Sequence, residues 1–212
     1  MQRKRTLPRT SRVLNITHFY SMKNGKSIYC ESKLERDVML TLEFDTNIRA
    51  YTSQPLSIIY ELNDKETRYT PDLLVQTVTG DLYFIEIKPH SIFQLEKNKQ
   101  KFAFLIAHFR NKYQRELQLV SCHDIYIGAQ IPNLDSLYRF KKFNVTQAAK
   151  VLFGELPNVI DSTIYRQLRR DENKHLYNDF MTLLAHNFFH FDITKNFEST
   201  QSFFKKRETS CK

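Results

Sequence analysis

A carboxylate and an ammonium group stand close together in the apolar segment of residues 82–88, Leu-Tyr-Phe-Ile-Glu-Ile-Lys. Side chains alternate between the two faces of a β-strand, so a strand over 82–88 places Glu86 and Lys88 on the same face. Pro89 follows and ends the hydrogen-bonded ladder. An isolated Glu-x-Lys pair is also found as a local ion pair at an exposed strand end, and that alternative stays open at this point.

A second acidic residue, Asp72, enters an apolar segment directly after Pro71. The segments 68–76 and 82–88 flank Gly80, which predicts that they pair as an antiparallel hairpin. With the turn centred near Gly80, Asp72 faces the Glu86 end of the opposite strand. Asp72 can also be a turn or capping aspartate, which is common at strand edges. The hairpin nevertheless predicts that Asp72 and Glu86 lie at the same end of the sheet.

Glu35 is the third acidic candidate and lies in a helix predicted over 31–44. Successive helical residues are rotated by about 100°, which places Glu35 inside an apolar arc. That arc is formed by Leu34, Val38, Met39 and Leu42. The opposite, polar arc contains Lys33, Arg36, Asp37 and Glu43. A carboxylate in a buried stripe is unfavourable unless it is paired or bound to a metal, so Glu35 is a candidate functional residue.

These residue types suit hydrolysis of a phosphodiester with a divalent metal. Mg²⁺ prefers oxygen ligands, commonly one or two carboxylates with waters and substrate phosphate. Asp72, Glu86 and the backbone carbonyl of Ile87 would supply such ligands, and Mn²⁺ could substitute. The metal would polarise the phosphodiester and lower the pKa of a bound water. Lys88 would orient or activate that water and offset charge in the transition state, while Glu35 would hold a second metal or position the first.

The charge of the chain favours a polyanionic partner. The 212 residues carry a net charge of +9 at pH 7, which suits binding to nucleic acid but by itself can also serve only solubility. Residues 1–12 hold five basic residues and no acid, and residues 139–150 form a second run without an acid. The three cysteines lack zinc-type spacing. No segment has the apolar length of a signal peptide or a membrane span, so we expect a cytoplasmic protein without a membrane partner.

The order of predicted elements indicates an α/β domain with a central mixed sheet. The predicted elements are a helix over 31–44, strands over 57–62, 68–76 and 82–88, a helix over 92–113 and a strand over 117–120.

Beyond residue 134 the pattern becomes helical, with helices predicted over 146–154, 161–171 and 174–190. This suggests a helix-turn-helix or winged-helix-like module, although small three-helix packing without a DNA role stays an alternative. The predicted domains are a basic flexible arm over 1–26, a catalytic domain over 27–134 and a helical, winged-helix-like domain over 135–212.

The acidic residues and the lysine occur in an arrangement that resembles the restriction-endonuclease-like nuclease core, and more closely the TnsA family of transposon endonucleases. The matching stretches are residues 31–35, 43–45, Gln54-Pro55, Tyr69-Thr-Pro-Asp72 and Ile85-Glu-Ile-Lys-Pro89, with residues 133–138 similar to the passage into the C-terminal domain of the family. The resemblance places the catalytic residues of the family on Glu35, Asp72 and Lys88. Glu86 stands where some relatives carry glutamine.

This resemblance implies a specific task. A TnsA-like protein is a Mg²⁺-dependent nuclease that cuts double-stranded DNA at the 5′ ends of a transposon, on the strand that is not transferred. A TnsB-like DDE transposase cuts and joins the 3′ ends. The C-terminal domain would engage a TnsC-like AAA+ regulator and DNA, and the implied location is the bacterial cytoplasm.

Three other interpretations stay open. Another nuclease with the same core, such as a restriction enzyme or a junction resolvase, would share the Asp…Glu-x-Lys motif. A non-catalytic DNA-binding or assembly subunit could retain the fold, and a winged-helix regulator could carry an N-terminal domain that only binds a ligand. The segment Glu31–Glu35, the Gln54-Pro55 pair and the helical C-terminal region favour the transposon endonuclease.

Overall fold

The computed structural model describes residues 17–62, 65–197 and 201–206, which form two compact units, the first ending at Ile125 and the second beginning at Tyr126. The elements of the first unit are β1 (Thr17–Ser21), β2 (Lys26–Cys30), α1 (Lys33–Phe44), β3 (Ile48–Ser53), β4 (Ile58–Leu62), β5 (Lys65–Tyr69), β6 (Leu73–Thr77), β7 (Leu82–Ile87), α2 (His90–Gln94), α3 (Glu96–Tyr113), β8 (Leu117–Val120) and α4 (Cys122–Ile125). Those of the second unit are α5 (Gln130–Lys141), α6 (Gln147–Glu155), β9 (Val159–Ile160), α7 (Ser162–Leu168), a 3-10 turn (Asp171–Asn173), α8 (Lys174–Ala185), β10 (Phe189–His190) and β11 (Phe203–Lys205).

A four-stranded sheet with the order β3-β6-β7-β8 forms the centre of the first unit. β3, β6 and β7 pair antiparallel, whereas β7 and β8 run parallel. A parallel pair needs a crossover connection, and α2 and α3 supply it. The predicted α/β class with a central mixed sheet is therefore confirmed, and the arrangement is consistent with a restriction-endonuclease-like domain.

An apolar cluster joins α3 to the sheet and to the β4–β5 hairpin. Its buried members are Ile58, Tyr60, Tyr69, Phe84, Phe102, Leu105, Phe109 and Leu117. Each large apolar side chain buried in this way stabilises the fold by about 1.5–3 kcal/mol. The cluster packs against β7 and holds it in place. It also brings the end of β5 close to the end of β7.

The β6–β7 hairpin has the register that the sequence predicts. Gly80 has a φ of 94°, a left-handed conformation that glycine adopts without a steric penalty. Leu73 pairs with Ile85 and Gln76 pairs with Leu82. Asp72 therefore lies at the same end of the sheet as Glu86.

Several predicted boundaries were wrong for local reasons. The strand expected over 68–76 is divided into β5 and β6, because Pro71 cannot donate a ladder hydrogen bond. The helix expected over 92–113 is two helices that meet at Leu95, whose φ and ψ of −63° and 129° are extended rather than helical. The strand β3 was not predicted at all.

A β-hairpin covers α1, which corrects two sequence-based predictions. Residues 17–26 were expected to belong to a flexible arm, but β1 and β2 pair from Thr17 opposite Cys30 to Ser21 opposite Lys26. The part of that arm before residue 17 lies outside the described residues. Asp37 and Glu43 were expected on an exposed arc of α1, yet they are 0% and 1% exposed. A helical wheel shows which residues share a face, and it does not show that two faces of α1 are covered.

The buried Glu43 carboxylate ties the β1–β2 hairpin to α1. Its Oε1 accepts hydrogen bonds from the hydroxyl groups of Ser21 at 2.5 Å and Tyr51 at 2.6 Å. Its Oε2 accepts from the backbone N–H groups of Met22 at 3.1 Å and Lys23 at 3.2 Å. Four neutral donors thus satisfy one buried charge, which is the condition under which a buried carboxylate is tolerated.

The described part of the second unit contains the helices α5 to α8 and a small sheet with the order β10-β11-β9. Thr146 caps α6 as predicted, since its hydroxyl accepts from the N–H of Ala149 at 3.0 Å. The helix continues through Gly154 to Glu155, whereas α7 and α8 end earlier than predicted. Residues 180–185 of α8 are all buried, because α5 and α6 both pack on this helix.

The second unit begins before the boundary predicted at residue 135. Helix α5 belongs to it, and the Asn133 amide donates to the carbonyls of Ile193 and Lys195 at 2.8 and 2.7 Å. Its winged-helix-like character stays a prediction. Across both units, no helix in the described part of the chain is long and apolar enough to cross a membrane.

We predict that Glu43→Gln lowers the free energy of unfolding by about 3 kcal/mol, the scale of hydrogen bonds to a buried charge. The amide group would turn a donor toward groups that are themselves donors. Urea unfolding followed by circular dichroism measures the change. Tyr51→Phe removes one of the four donors and should cost less, about 1–2 kcal/mol. Equal stability of Glu43→Gln and the wild type would contradict an anchoring role for this carboxylate.

Candidate active site

Four of the predicted site residues meet at the open end of the β6–β7 hairpin. The Lys88 ammonium nitrogen lies 3.0 Å from Oδ2 of Asp72 and 3.0 Å from Oε1 of Glu86. The same nitrogen donates to the backbone carbonyl of Ile87, also at 3.0 Å. Three oxygens therefore surround one positive charge, and the catalytic and metal-binding roles of these residues stay predictions.

The proline before Asp72 determines how this carboxylate is used. The regular β6–β7 pairing ends at Leu73 and Ile85, and Pro71 has no N–H with which to extend it. The Asp72 side chain supplies the next hydrogen bond in place of the ladder. Its Oδ2 accepts from the backbone N–H of Ile87 at 2.7 Å. The same Oδ2 faces Lys88, so one oxygen both closes the hairpin and contributes to the site.

Glu86 is held on both of its oxygens. Tyr69 donates its hydroxyl proton to Oε2 at 2.8 Å, while Lys88 contacts Oε1. The residue is only 4% exposed, and burial together with the neighbouring Asp72 raises the pKa of Glu86. Burial and the Glu86 charge likewise raise the pKa of Tyr69, so this tyrosine acts as a neutral hydrogen-bond donor.

Lys88 is the counter-charge of the site. Burial would lower its pKa, but the carboxylates of Asp72 and Glu86 outweigh that effect and raise the pKa of Lys88. The side chain is therefore a protonated ammonium at neutral pH in this arrangement. Its hydrogen bonds also neutralise the repulsion between two carboxylates that would otherwise face each other.

The charges of Asp72 and Lys88 act on Glu35, but Glu35 makes its hydrogen bonds to other residues. Its Oε2 accepts from the backbone N–H of Glu31 at 2.8 Å, and its Oε1 accepts from the Ser32 hydroxyl at 2.9 Å. Ser32 in turn accepts from the N–H of Glu35 at 3.1 Å, which resembles the reciprocal pattern of a capping box. Burial, with a contribution from Asp72, raises the pKa of Glu35.

The oxygens around Lys88 have the chemistry of a hard-cation site. Two carboxylates and one carbonyl already converge on a single positive charge, and Mg²⁺ takes one or two carboxylates together with waters and substrate oxygens. No group of three or more His, Cys, Asp or Glu side chains within residues 17–62, 65–197 and 201–206 is arranged to hold a metal. The donor set thus fits an oxygen-bound ion such as Mg²⁺ that keeps further positions for substrate and water, and it does not fit a closed structural zinc site.

Sequence reasoning assigned no role to Tyr69 and left two roles open for Gln54, support of the backbone near the site or contact with DNA. Tyr69 ends β5 three residues before Asp72 and supports Glu86, and its place before a Pro-Asp pair was the available signal. Gln54 donates from its side-chain amide to Oε1 of Glu31 at 3.0 Å. No periodicity in the sequence indicates the contact between Gln54 and Glu31.

We predict that Glu35→Gln stabilises the metal-free protein at neutral pH. The folded state raises the pKa of Glu35, so the wild type loses stability as pH rises from the ordinary glutamate pKa of about 4.3 through the raised value. Glutamine does not ionise, and Ser32 can accept from its amide. The unfolding temperature, measured in EDTA, should rise by about 2 °C, the shift that ~1 kcal/mol produces in a chain of this size.

The difference between Glu35→Gln and the wild type should vanish at pH values where both states of the wild type hold a protonated Glu35. Glu66→Gln, at an exposed position of β5, is the matched control and should leave the unfolding temperature unchanged. A lower unfolding temperature for Glu35→Gln at neutral pH would show that the carboxylate is a net stabilising cap.

Comparison with known proteins agrees with this geometry. Residues 45–119 match the family model described as TnsA-like endonuclease N terminal. Asp72, Glu86 and Lys88 lie within the matched range, together with the strands that carry them. A search of curated proteins gives no match. Within the first unit, residues 45–119 are therefore similar to the N-terminal domain of TnsA-like endonucleases.

Proposed function

We propose that this protein is a metal-dependent endodeoxyribonuclease that cuts the 5′ ends of a transposon, on the strand that is not transferred. The observation that carries the proposal is the convergence of Asp72, Glu86 and the Ile87 carbonyl on one cation inside a TnsA-like endonuclease domain. The choice of strand rests on the family resemblance.

Asp72, Glu86 and the Ile87 carbonyl would hold Mg²⁺, or Mn²⁺ in its place. The bound ion would polarise the phosphodiester and lower the pKa of a bound water. Lys88 fills the space between the three oxygens, so its ammonium must move aside for the ion to enter. Tyr69 keeps Glu86 aimed at the site through the second carboxylate oxygen, whichever cation the first oxygen faces.

Lys88 would act as a donor and a positive charge rather than as a base. In the metal-free site its pKa is raised by the two carboxylates, and an ordinary lysine is also protonated at neutral pH, so the side chain carries a proton that it can offer to a water or a phosphate oxygen. A positive group beside the scissile phosphate offsets the charge that develops in the transition state. Glu35, whose oxygens are already bonded to the first turn of α1, would position the first metal or hold a second.

The substrate and partners follow from charge and resemblance. The net charge of +9 at pH 7 suits double-stranded DNA at transposon ends. We propose a TnsB-like DDE transposase as the partner that cuts and joins the 3′ ends. A TnsC-like AAA+ regulator would bind the C-terminal domain, and the assembly would work in the bacterial cytoplasm.

We predict that Asp72→Asn and Lys88→Met each lower the rate of 5′-end cleavage by about 10²-fold or more, the range for losing a positioned acid-base or electrostatic group. The protein is assayed with its cognate transposase and AAA+ ATPase, and the products are sequenced. Simple insertions should give way to fused replicons, and EDTA should abolish cutting.

Matched controls separate this effect from general charge loss. Asp81→Asn alters an exposed turn aspartate, and Lys99→Met alters an exposed lysine of α3, so both variants should cut as the wild type does. If Asp72→Asn and Lys88→Met also gave wild-type products, the protein would be a non-catalytic subunit that retains the nuclease fold.

We predict that Lys88→Met binds divalent cations about tenfold more tightly than the wild type, a difference of ~1.4 kcal/mol. The variant leaves two carboxylates without their counter-charge, and no ammonium has to be displaced. Calorimetric titration with Mn²⁺ or Ca²⁺ in the absence of DNA measures the affinity, with Lys99→Met as the control. An equal or weaker affinity would mean that Lys88 does not occupy the cation position.

A further inference from the structure

We infer that Gln54 is a positioning residue of the proposed nuclease site, one that fixes the Glu35 end of α1 against the strand that carries Asp72. The inference rests on the nuclease function proposed above. It assigns to Gln54 no contact with the substrate. Its task is to hold two acidic residues, which come from a helix and a strand, at a fixed separation.

The backbone of Gln54 is in a conformation that side chains avoid. Its φ is 45°, in the left-handed region that is uncommon for residues other than glycine. Pro55 follows it, and a residue before proline is normally extended. A chain that holds glutamine in this conformation stores strain, and such strain is concentrated at functional sites.

One contact of Gln54 reaches the Asp72 strand. The backbone N–H of Gln54 donates to the backbone carbonyl of Asp72 at 2.8 Å. The pairing of Ser53 with Leu73 is the last of the β3–β6 ladder, so this bond continues the ladder past the point where the strands end. It fixes the main chain directly behind the Asp72 carboxylate.

The second contact of Gln54 reaches the start of α1. The side-chain amide donates to Oε1 of Glu31 at 3.0 Å, and the backbone N–H of Glu31 donates to Oε2 of Glu35 at 2.8 Å. Asp72, Gln54, Glu31 and Glu35 therefore form one continuous chain of hydrogen bonds. Gln54 is the link that joins the helix side of this chain to the sheet side.

The carbonyl oxygen Oε1 of the Gln54 side chain supports a functional rather than a stabilising role. Oε1 of Gln54 is buried and has no hydrogen-bond partner among the residues that the structure describes. A buried acceptor without a partner is unfavourable, and so is the left-handed backbone. Gln54 therefore combines two features that oppose stability with two hydrogen bonds that lead to the site.

Electrostatics explain why such a link is needed. Asp72 and Glu35 both carry a carboxyl group, and two ionised carboxylates at one site repel each other. Lys88 contacts Asp72 at 3.0 Å, but the hydrogen bonds of Glu35 go to Glu31 and Ser32. Without the Gln54 link, repulsion would be free to widen the distance between the two carboxylates. An error of about 1 Å in the placement of a catalytic group can reduce a rate by about 10²-fold.

Gln54→Gly tests the inference because glycine accepts the left-handed backbone while removing the amide link. Gln114→Gly is the matched control, since Gln114 has a φ of 54° at the end of α3, in an exposed position. Both variants relieve the same backbone strain, but only Gln54→Gly breaks a connection to the site. The full chain is assayed with its cognate transposase and transposon-end DNA.

We expect Gln54→Gly to slow single-turnover 5′-end cleavage by about 10²-fold, with an unfolding temperature equal to or above that of the wild type. Its affinity for DNA, measured with Ca²⁺ in place of Mg²⁺, should be unchanged. Gln114→Gly should match or exceed the wild type in stability and cut at the wild-type rate. Glu31→Ala keeps the N–H that Glu35 uses, and combining it with Gln54→Gly should slow cleavage no further than Gln54→Gly alone.

The inference is overturned if Gln54→Gly cuts at the wild-type rate, or if its loss of cleavage merely follows a loss of folded protein. It is also overturned if the losses of Gln54→Gly and Glu31→Ala multiply, since the two residues would then act independently. Asp72→Asn, measured beside them, separates the two proposals. If Asp72→Asn cuts normally, the nuclease function fails, whereas inactive Asp72→Asn beside fully active Gln54→Gly removes only the role of Gln54.

Discussion

A buried carboxylate must find a counter-charge or a full set of hydrogen-bond donors, or give up its ionised form, and this constraint organises the first unit of the protein. Glu86 is 4% exposed and stands beside Asp72. Lys88, which directly follows β7 and lies two residues after Glu86, contacts both carboxylates. Because alternate residues of a strand share a face, the chain supplies its own neutralising charge. Three features keep Asp72, Glu86 and Lys88 in place. They are Pro71, which ends the regular β6–β7 pairing, the Tyr69 hydroxyl, and the apolar cluster that packs against β7.

Glu43 and Glu86 are both buried carboxylates of this unit, and the difference between their partners separates an anchor of the fold from a candidate site. Glu43 is satisfied by four neutral hydroxyl and N–H donors that belong to fixed parts of the fold. The Glu86 and Asp72 oxygens that face the site are satisfied by the end of a long, flexible lysine side chain. Fixed dipoles cannot be exchanged without unfolding, whereas a lysine ammonium can leave and be replaced by another cation. The first arrangement is therefore an anchor, and the second is a site that can change its occupant.

Sequence reasoning was most successful where local geometry determines the outcome. The turn at Gly80 and the alternation of residues 82–88 were sufficient to predict which residues meet Asp72. Reasoning was least successful where a distant segment decides burial. The wheel of α1 assigned Glu43 to an exposed arc because it contains no information about the β1–β2 hairpin, which buries that arc. The left-handed turn at Gln54 was also not predictable, since its stability depends on partners in both α1 and β6.

Asp72, Glu86 and Lys88 lie close together in the sequence, and this has a consequence for how the protein folds. Asp72, Glu86 and Lys88 all belong to one hairpin with a short turn, and hairpins of this kind close within about 1–10 μs. The low loop-closure entropy of such a segment lets the two acids and their ammonium arrive in a single local step. Whenever this hairpin forms in its native register, the two acids and the Lys88 ammonium come together. Glu35 belongs to a separate helix, α1, so its position relative to these residues depends on tertiary contacts rather than on the hairpin.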